Sequence, residues 1–416
     1  MFGRLNGVVF VLLLFLTSFL GSIFMLFPLM PLAYFVPKLW RTCADLLVGY
    51  WLTFPASLVE YIFGTSFHVS GDVILRDRPA LIIMNHRTRL DWLFLWNALY
   101  KMDPLLLTTE KISLKAPLKR IPGAGWAMSC GSYIFLERSF ECDKATITAS
   151  VQYYKSIGKS YQLLLFPEGT DRGVRAAAQS DAYAIKHGLP RYDYVLHPRT
   201  TGFNYLLNVM REENYICDVY DITVAYEDVI IDSELSLLKE GVFPKHVHFD
   251  VKKYDVKDVP TDPEKSGNWL KELWQKKESR LKEFYEAELH KRRLHASGEA
   301  FVFPVETQGI GYYVAFGFWI VMTAVWLHSL YVYYLLRLYA VVASLFYISR
   351  RLKVASHIVW SPSDCQLPVF SPFPVCSGGQ FRAIDRERFS IRPSVVPSNV
   401  TLFWLIDALL LLTRLE

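Results

Sequence analysis

The six cysteines, Cys43, Cys130, Cys142, Cys217, Cys365 and Cys376, fall at no paired metal-ligand spacing and form no dense disulfide pattern. That argues against a zinc-finger module or a disulfide-stapled secreted scaffold and leaves reduced thiols as the simplest state. Neither sign of charge is in large excess: 45 Lys and Arg against 40 Asp and Glu give a formal +5 over 416 residues. With no nucleic-acid module in the sequence, the basic clusters are expected to meet anionic lipid. A small-residue cleavage site is also missing after the first apolar stretch, which excludes a typical secretory signal and predicts a retained anchor.

What the chain has instead is hydrophobicity, 52% of its residues. Val8 to Phe27 is almost uninterrupted, and a membrane helix needs about 20 such residues. A second apolar segment, Leu46 to Gly64, follows Lys38 and Arg41, with Pro28, Pro31, Pro37 and Pro55 as expected bends. The two are read as a helical hairpin or as helices lying partly in the interface, an anchoring region over residues 1–64. Ile310 to Ile348 is about twice the length of one crossing and predicts two helices. Lys291, Arg292 and Arg293 before it, and Arg350, Arg351 and Lys353 after it, would share the cytoplasmic side. Arg337 falls in the second helix or near the turn, either snorkelling or functional. This hairpin region is assigned residues 296–351.

Between the hydrophobic ends, over residues 65–295, short β-rich runs alternate with helical segments, an α/β pattern. Strands are expected at Ala80 to Met84, Gln162 to Phe166, Cys217 to Tyr226 and Val247 to Tyr254. Trp269 to Arg293 carries Leu270, Leu273, Trp274, Leu281, Phe284, Tyr285 and Leu289 near helical spacing, an amphipathic helix that packs on the domain or docks on the membrane. Residues 352–416 are Pro- and Ser-containing and aperiodic. Leu402 to Leu412 is too short for a span, and the tail is assigned no role.

Chemistry concentrates where apolar runs end. After Leu81 to Met84 come His86 and, five residues on, Asp91. An imidazole titrates near neutral pH, and an acid on one ring nitrogen fixes the tautomer and supports the imidazolium that forms at the other. Nothing nearby is an obvious nucleophile, so the base is expected to activate a hydroxyl of the substrate itself. A second apolar run, Leu163 to Phe166, ends in Pro167, Glu168, Gly169 and Thr170, where glycine permits close backbone approach and Glu168 and Thr170 can bond a polyol or head group. Between these lie Lys111, Lys115 and Lys119, either phosphate contacts or a solvated face. Arg138, at the end of another apolar run, offers a planar two-pronged contact to phosphate.

Together, His86 to Asp91, Arg138 with Phe135 and Glu137, and Phe166 to Thr170 resemble the motifs of the glycerolipid acyltransferase family, which contains the lysophosphatidate acyltransferases. The departures are specific: Ser132 stands where the family has glycine, Asp171 where it has arginine, and Val219 to Tyr226 replaces a proline-containing strand. These, with Val195 to Phe203 and Gly241 to Lys245, resemble the lysocardiolipin acyltransferase-like branch. The resemblance implies an α/β acyltransferase domain with a mixed sheet and flanking helices, plus membrane helices at both ends. It implies His86 and Asp91 as catalytic residues and Arg138, Glu168, Gly169 and Thr170 as substrate-binding, with no metal.

The activity so implied is acyl transfer from acyl-CoA to a lysophospholipid hydroxyl, on lysocardiolipin, lysophosphatidylinositol, lysophosphatidylglycerol or lysophosphatidate, in phospholipid synthesis or remodelling. Acyl-CoA is then a substrate and no cofactor is bound. Expected partners are membrane lipids, with no nucleic acid, and the expected location is the endoplasmic reticulum membrane or membranes associated with mitochondria. A CoA-independent transacylase and a non-catalytic lipid-binding scaffold are the competing readings.

Overall fold

The computed structural model describes residues 2–137, 139–294, 296, 301–304 and 310–355. The tail from residue 356, including Leu402 to Leu412, lies outside the described residues, as does Arg138.

Eight strands form one sheet: β1 (Ser66–Gly71), β2 (Ala80–Met84), β3 (Glu110–Lys115), β4 (Ile134–Leu136), β5 (Gln162–Leu165), β6 (Asp218–Tyr226), β7 (His246–Asp255) and β8 (Phe301–Val302). Their order is β4-β3-β5-β2-β6-β7-β1-β8. The strands from β4 to β6 run parallel, β7 is antiparallel to β6, and β8 is antiparallel to β1, so the sheet is mixed. Four strands fall where the apolar runs predict them, within a residue at each end. The other four carry no such run: β4 and β8 have three and two residues, β1 is polar at alternate positions, and β3 begins with two charges.

The central strands are buried on both sides because helices cover both faces. Side-chain alternation divides them: Ile82, Leu164, Tyr220 and Ile222 pack with helices Pro37–Phe63 and Asp91–Met102. Leu81, Ile83, Leu163 and Val219 pack with helices Phe140–Ser156, Thr200–Glu212 and Pro263–Glu286. That last helix begins at Pro263, ahead of the expected Trp269, because the Asp262 side chain accepts from Lys265 N at 2.9 Å and Pro263 is preset for a first turn. Leu270, Leu273, Trp274, Leu281 and Phe284 are buried in the domain, while Leu289 lies past the helix end and is 53% exposed. The apolar stripe therefore packs on the domain.

Three helical segments are long and apolar enough to cross a membrane: Gly3–Leu29, Pro37–Phe63 and Gly311–Val332. The second is continuous through Pro55, where burial of Phe54, Ala56, Leu58 and Val59 outweighs a proline penalty of about 3 kcal/mol. It also begins well before Leu46, because Arg41 and Asp45 are neutralised inside the protein. Asp45 Oδ1 meets Arg41 at 2.9 Å and Lys111 at 2.8 Å, and Tyr161 donates to Oδ2 at 2.5 Å. Lys111 is thus neither on a solvated face nor poised for phosphate, and burial pushes its ammonium pKa down.

The same cluster explains Ser132. Its φ of +56° is the left-handed region that glycine enters freely. Arg41 donates to Ser132 Oγ at 2.5 Å and Tyr154 donates to its carbonyl at 2.5 Å, holding the turn. Ser132→Ala keeps the strain and loses the Arg41 contact, so its thermal midpoint should fall below that of Ser132→Gly, which relieves about 1 kcal/mol of backbone strain while losing the same contact. Equal midpoints for the two variants would remove the strain argument.

The C-terminal pair differs from two equal spans. Helices Gly311–Val332 and Tyr334–Ala355 are parted by the single extended residue Tyr333, and the apolar part of the second, Tyr334–Ser349, is short for a crossing. They straddle the chain around Gly21 to Phe27: Trp326 stacks on Phe24, while Tyr339 and Tyr347 donate to the carbonyls of Ile23 and Ser22. Arg337 lies in the second helix, over the Tyr334 ring at 5.7 Å. Phe10, Phe54, Tyr312 and Trp319 belong to the same hydrophobic core as the sheet, so the expected boundary at residue 64 does not separate two cores. At its start the first helix lies on Glu234–Glu240: Arg4 Nε donates to the Lys239 carbonyl at 2.9 Å, and Gly241, at φ +64°, leaves no room for a Cβ against Gly3.

Candidate active site

The parallel strands β2 and β5 end side by side, with Ile83 opposite Leu165, and the loops beyond them converge. Asn85 continues β2 by side chain: its amide donates to Val224 O at 3.1 Å and accepts from Val224 N at 2.9 Å. This fixes the backbone on which His86 stands. His86 N donates to Glu168 Oε1 at 3.2 Å, His86 O accepts from Arg172 N at 2.9 Å, and the ring stacks on Phe166 at 4.1 Å.

His86 Nδ1 lies 2.8 Å from Asp91 Oδ2, in the pairing the sequence predicts. Asp91 is fully buried, opens helix Asp91–Met102, and also accepts from Thr88 N at 3.0 Å and from the Tyr226 hydroxyl. A carboxylate can only accept, so Nδ1 is the donor and the lone pair falls on Nε2, which has no hydrogen-bond partner among the described residues. With the His86 side chain 15% exposed, the arrangement can take a proton from a group that approaches the strand ends.

Glu168 turns inward. Oε1 accepts from His86 N and from Trp274 Nε1 at 3.0 Å, and Oε2 accepts from Leu196 N at 3.1 Å. Burial raises its pKa to about 7 against the pull of these donors. The carboxyl therefore ties three chain segments behind the histidine, a positioning geometry where a substrate contact was expected. Gly169 has φ +75°, and a Cβ there would stand 3.3 Å from the Arg199 side chain. Thr170 Oγ1 donates to Asp171 at 3.4 Å, and Asp171 lies 3.7 Å from Arg89, which gives the family-atypical aspartate a local partner.

Sequence reasoning assigned no role to Asn85, Phe166, Tyr226 or Arg87. Tyr226 closes a predicted strand, so strand-end position was the available signal. Arg87 and Arg172 border His86, and the Nε atom of each is buried without a partner among the described residues. Burial and the neighbouring Arg87 charge push the Arg172 pKa down, against the pull of Glu278, Asp193 and Glu168.

The acyltransferase family model matches residues 66–227, and the model for the acyltransferase C-terminus matches residues 236–306. Lysocardiolipin acyltransferase 1 of Gallus gallus is 47% identical over 281 residues, 68% of this chain and 74% of the relative. The chain belongs to the acyltransferase family. Lysophosphatidylinositol acyltransferase 10 of Caenorhabditis elegans is also 47% identical, over 60% of this acyltransferase and 64% of the relative's own length, just under two thirds. The crystal structure of the 1-acyl-sn-glycerophosphate acyltransferase of Thermotoga maritima aligns with a TM-score of 0.41 at 14% identity, covering 68% of this chain and 99% of that one. Three helices of this acyltransferase are long and apolar enough to cross a bilayer.

Tyr226→Phe removes one donor to Asp91 and leaves His86 in contact with it. The acyltransferase rate should fall about tenfold, the scale of a lost outer-shell partner, with an unchanged KM for the acyl donor. A large KM rise with unchanged kcat would assign Tyr226 to substrate binding instead.

Proposed function

We propose that the protein transfers a fatty acyl group from acyl-CoA to a free hydroxyl of a lysophospholipid, in phospholipid synthesis or remodelling. The observation that carries this reading is the His86–Asp91 pair, with its outer ring nitrogen unengaged among the described residues where β2 ends. His86 Nε2 takes the hydroxyl proton as the oxygen attacks the thioester carbonyl. The C–S bond then breaks, and the proton goes to the departing CoA thiolate. Asp91 supports the imidazolium between these steps, and no acyl-enzyme is needed. Holding the hydroxyl beside the thioester supplies much of the rate.

In this reading Arg87 and Arg172 receive a phosphate of the head group or of the coenzyme, and Arg138 serves the same purpose. Gly169 and Thr170 face the acceptor, with Glu168 positioning the loop. Acyl-CoA is a substrate, and the reaction needs no resident cofactor. The relatives named for lysocardiolipin and for lysophosphatidylinositol are equally similar, so they support a lysophospholipid acceptor without choosing the head group. We place the activity in the endoplasmic reticulum membrane, which cell fractionation tests.

The test is a purified, detergent-solubilised sample incubated with labelled acyl-CoA and a panel of lysophospholipids carrying different head groups. Product is expected with at least one acceptor and only when acyl-CoA is present. Equal transfer from a phospholipid donor without acyl-CoA would establish a transacylase. No transfer by folded protein to any acceptor would leave a lipid-binding scaffold.

A further inference from the structure

Three of the ten histidines meet across β1 and β7, beside the end of β6. His68 Nε2 and His246 Nδ1 stand 3.2 Å apart, and a carboxylate oxygen of Glu227 completes a trio whose ligand atoms all lie within 4.8 Å of one another. Two nitrogens bound tetrahedrally at about 2.0–2.1 Å stand about 3.3 Å apart, so this spacing suits a shared ion without moving the strands.

We propose that His68, His246 and Glu227 form a binding site for a divalent transition metal, zinc above all. Two imidazoles and one carboxylate are a borderline-soft set that zinc accepts with a fourth position left to water. His68 and His246 are half-buried and reachable, whereas Glu227 is buried. His248 organises the site from behind: it stacks on His68 at 4.4 Å and its Nε2 lies 3.1 Å from Glu227 Oε2. Such outer partners orient the groups that bind the ion. Two arginines are close: Arg293 Nη1 lies 3.4 Å from Glu227 Oε2 on a half-exposed side chain, and Arg292 Nη1 donates to the Glu227 carbonyl at 2.5 Å.

An ion here would join the starts of β1 and β7 to the end of β6. Tyr226, which holds Asp91, is the residue just before Glu227. The metal is therefore structural, bracing the strand that supports the catalytic acid from outside the reaction.

The full chain, purified in detergent and stripped by chelator, is titrated with zinc and separately with cobalt. One ion per chain is expected, with the visible absorption of tetrahedral cobalt and a rise in thermal midpoint. His68→Phe, which keeps the stacking on His248, and His246→Asn should each weaken binding by at least about tenfold. His86→Ala should bind as the wild type does. No binding by wild type, or equal binding by wild type and His68→Phe, overturns the proposal. Melting of both variants without metal, compared with stripped wild type, shows that lost affinity is not lost folding.

Discussion

His86→Ala is expected to lower acyl transfer by about a thousandfold, within the range that general-base catalysis contributes. The protein should survive the change. The ring is at the open end of β2, its main packing partner is Phe166, and the backbone bonds to Glu168 and Arg172 do not need the side chain. Initial rates with acyl-CoA and the best acceptor measure the loss, and an unchanged circular dichroism spectrum shows that folding is intact. A variant with full activity would end the assignment of His86 as base, because Asp91 pairs with no other imidazole among the described residues.

Glu168→Ala is expected to fail by the opposite route, in folding. It leaves His86 N, Leu196 N and Trp274 Nε1 without their acceptor, and each buried orphan costs about 1–3 kcal/mol. The sum approaches the whole stability of a typical domain, so yield and thermal midpoint should collapse. Glu168→Gln keeps the shape and removes the titration, which gives a pH test. The folded-state pKa of about 7 is raised from 4.5, so the folded state binds the proton more tightly. Its contribution to stability is complete below about 4.5 and is lost as pH rises through about 7. Thermal midpoints of the wild type should therefore decline relative to Glu168→Gln over that interval. Parallel profiles would mean that the buried carboxyl does not titrate there.

The sequence showed the parts of the site that are local. His86 and Asp91 are five residues apart, joined by a short turn from a strand end to a helix start, and such a pair can be read from spacing and apolar context. The direction of Glu168 could not be read this way. It depends on donors 28 and 106 residues away, and those come together only when the loops close. The charged start of β3 was misleading for a related reason. Lys111 reads as surface until Asp45, on a helix that composition assigns to the membrane, supplies its counter-charge. Hydropathy also cannot tell a helix face that meets lipid from one that meets a sheet, since both are apolar. Pro37–Phe63 is read as an anchor by length, while more than half of its most apolar window is covered by protein. The histidines of β1 and β7 went unnoticed because they are far apart in sequence and meet only through strand pairing.

The seating of the first helix on Glu234–Glu240 has a consequence for how the chain is made. Synthesis runs from the N-terminus, so residues 3–10 emerge long before the segment that receives Gly3, Arg4 and Phe10 exists. The helix can enter a bilayer early, but its docking waits for some 240 residues of translation, an extreme non-local contact of the kind that closes late in folding. An arrested nascent chain ending before residue 234 would carry a first helix with an unsatisfied flank, which puts the closing of this seam late in folding.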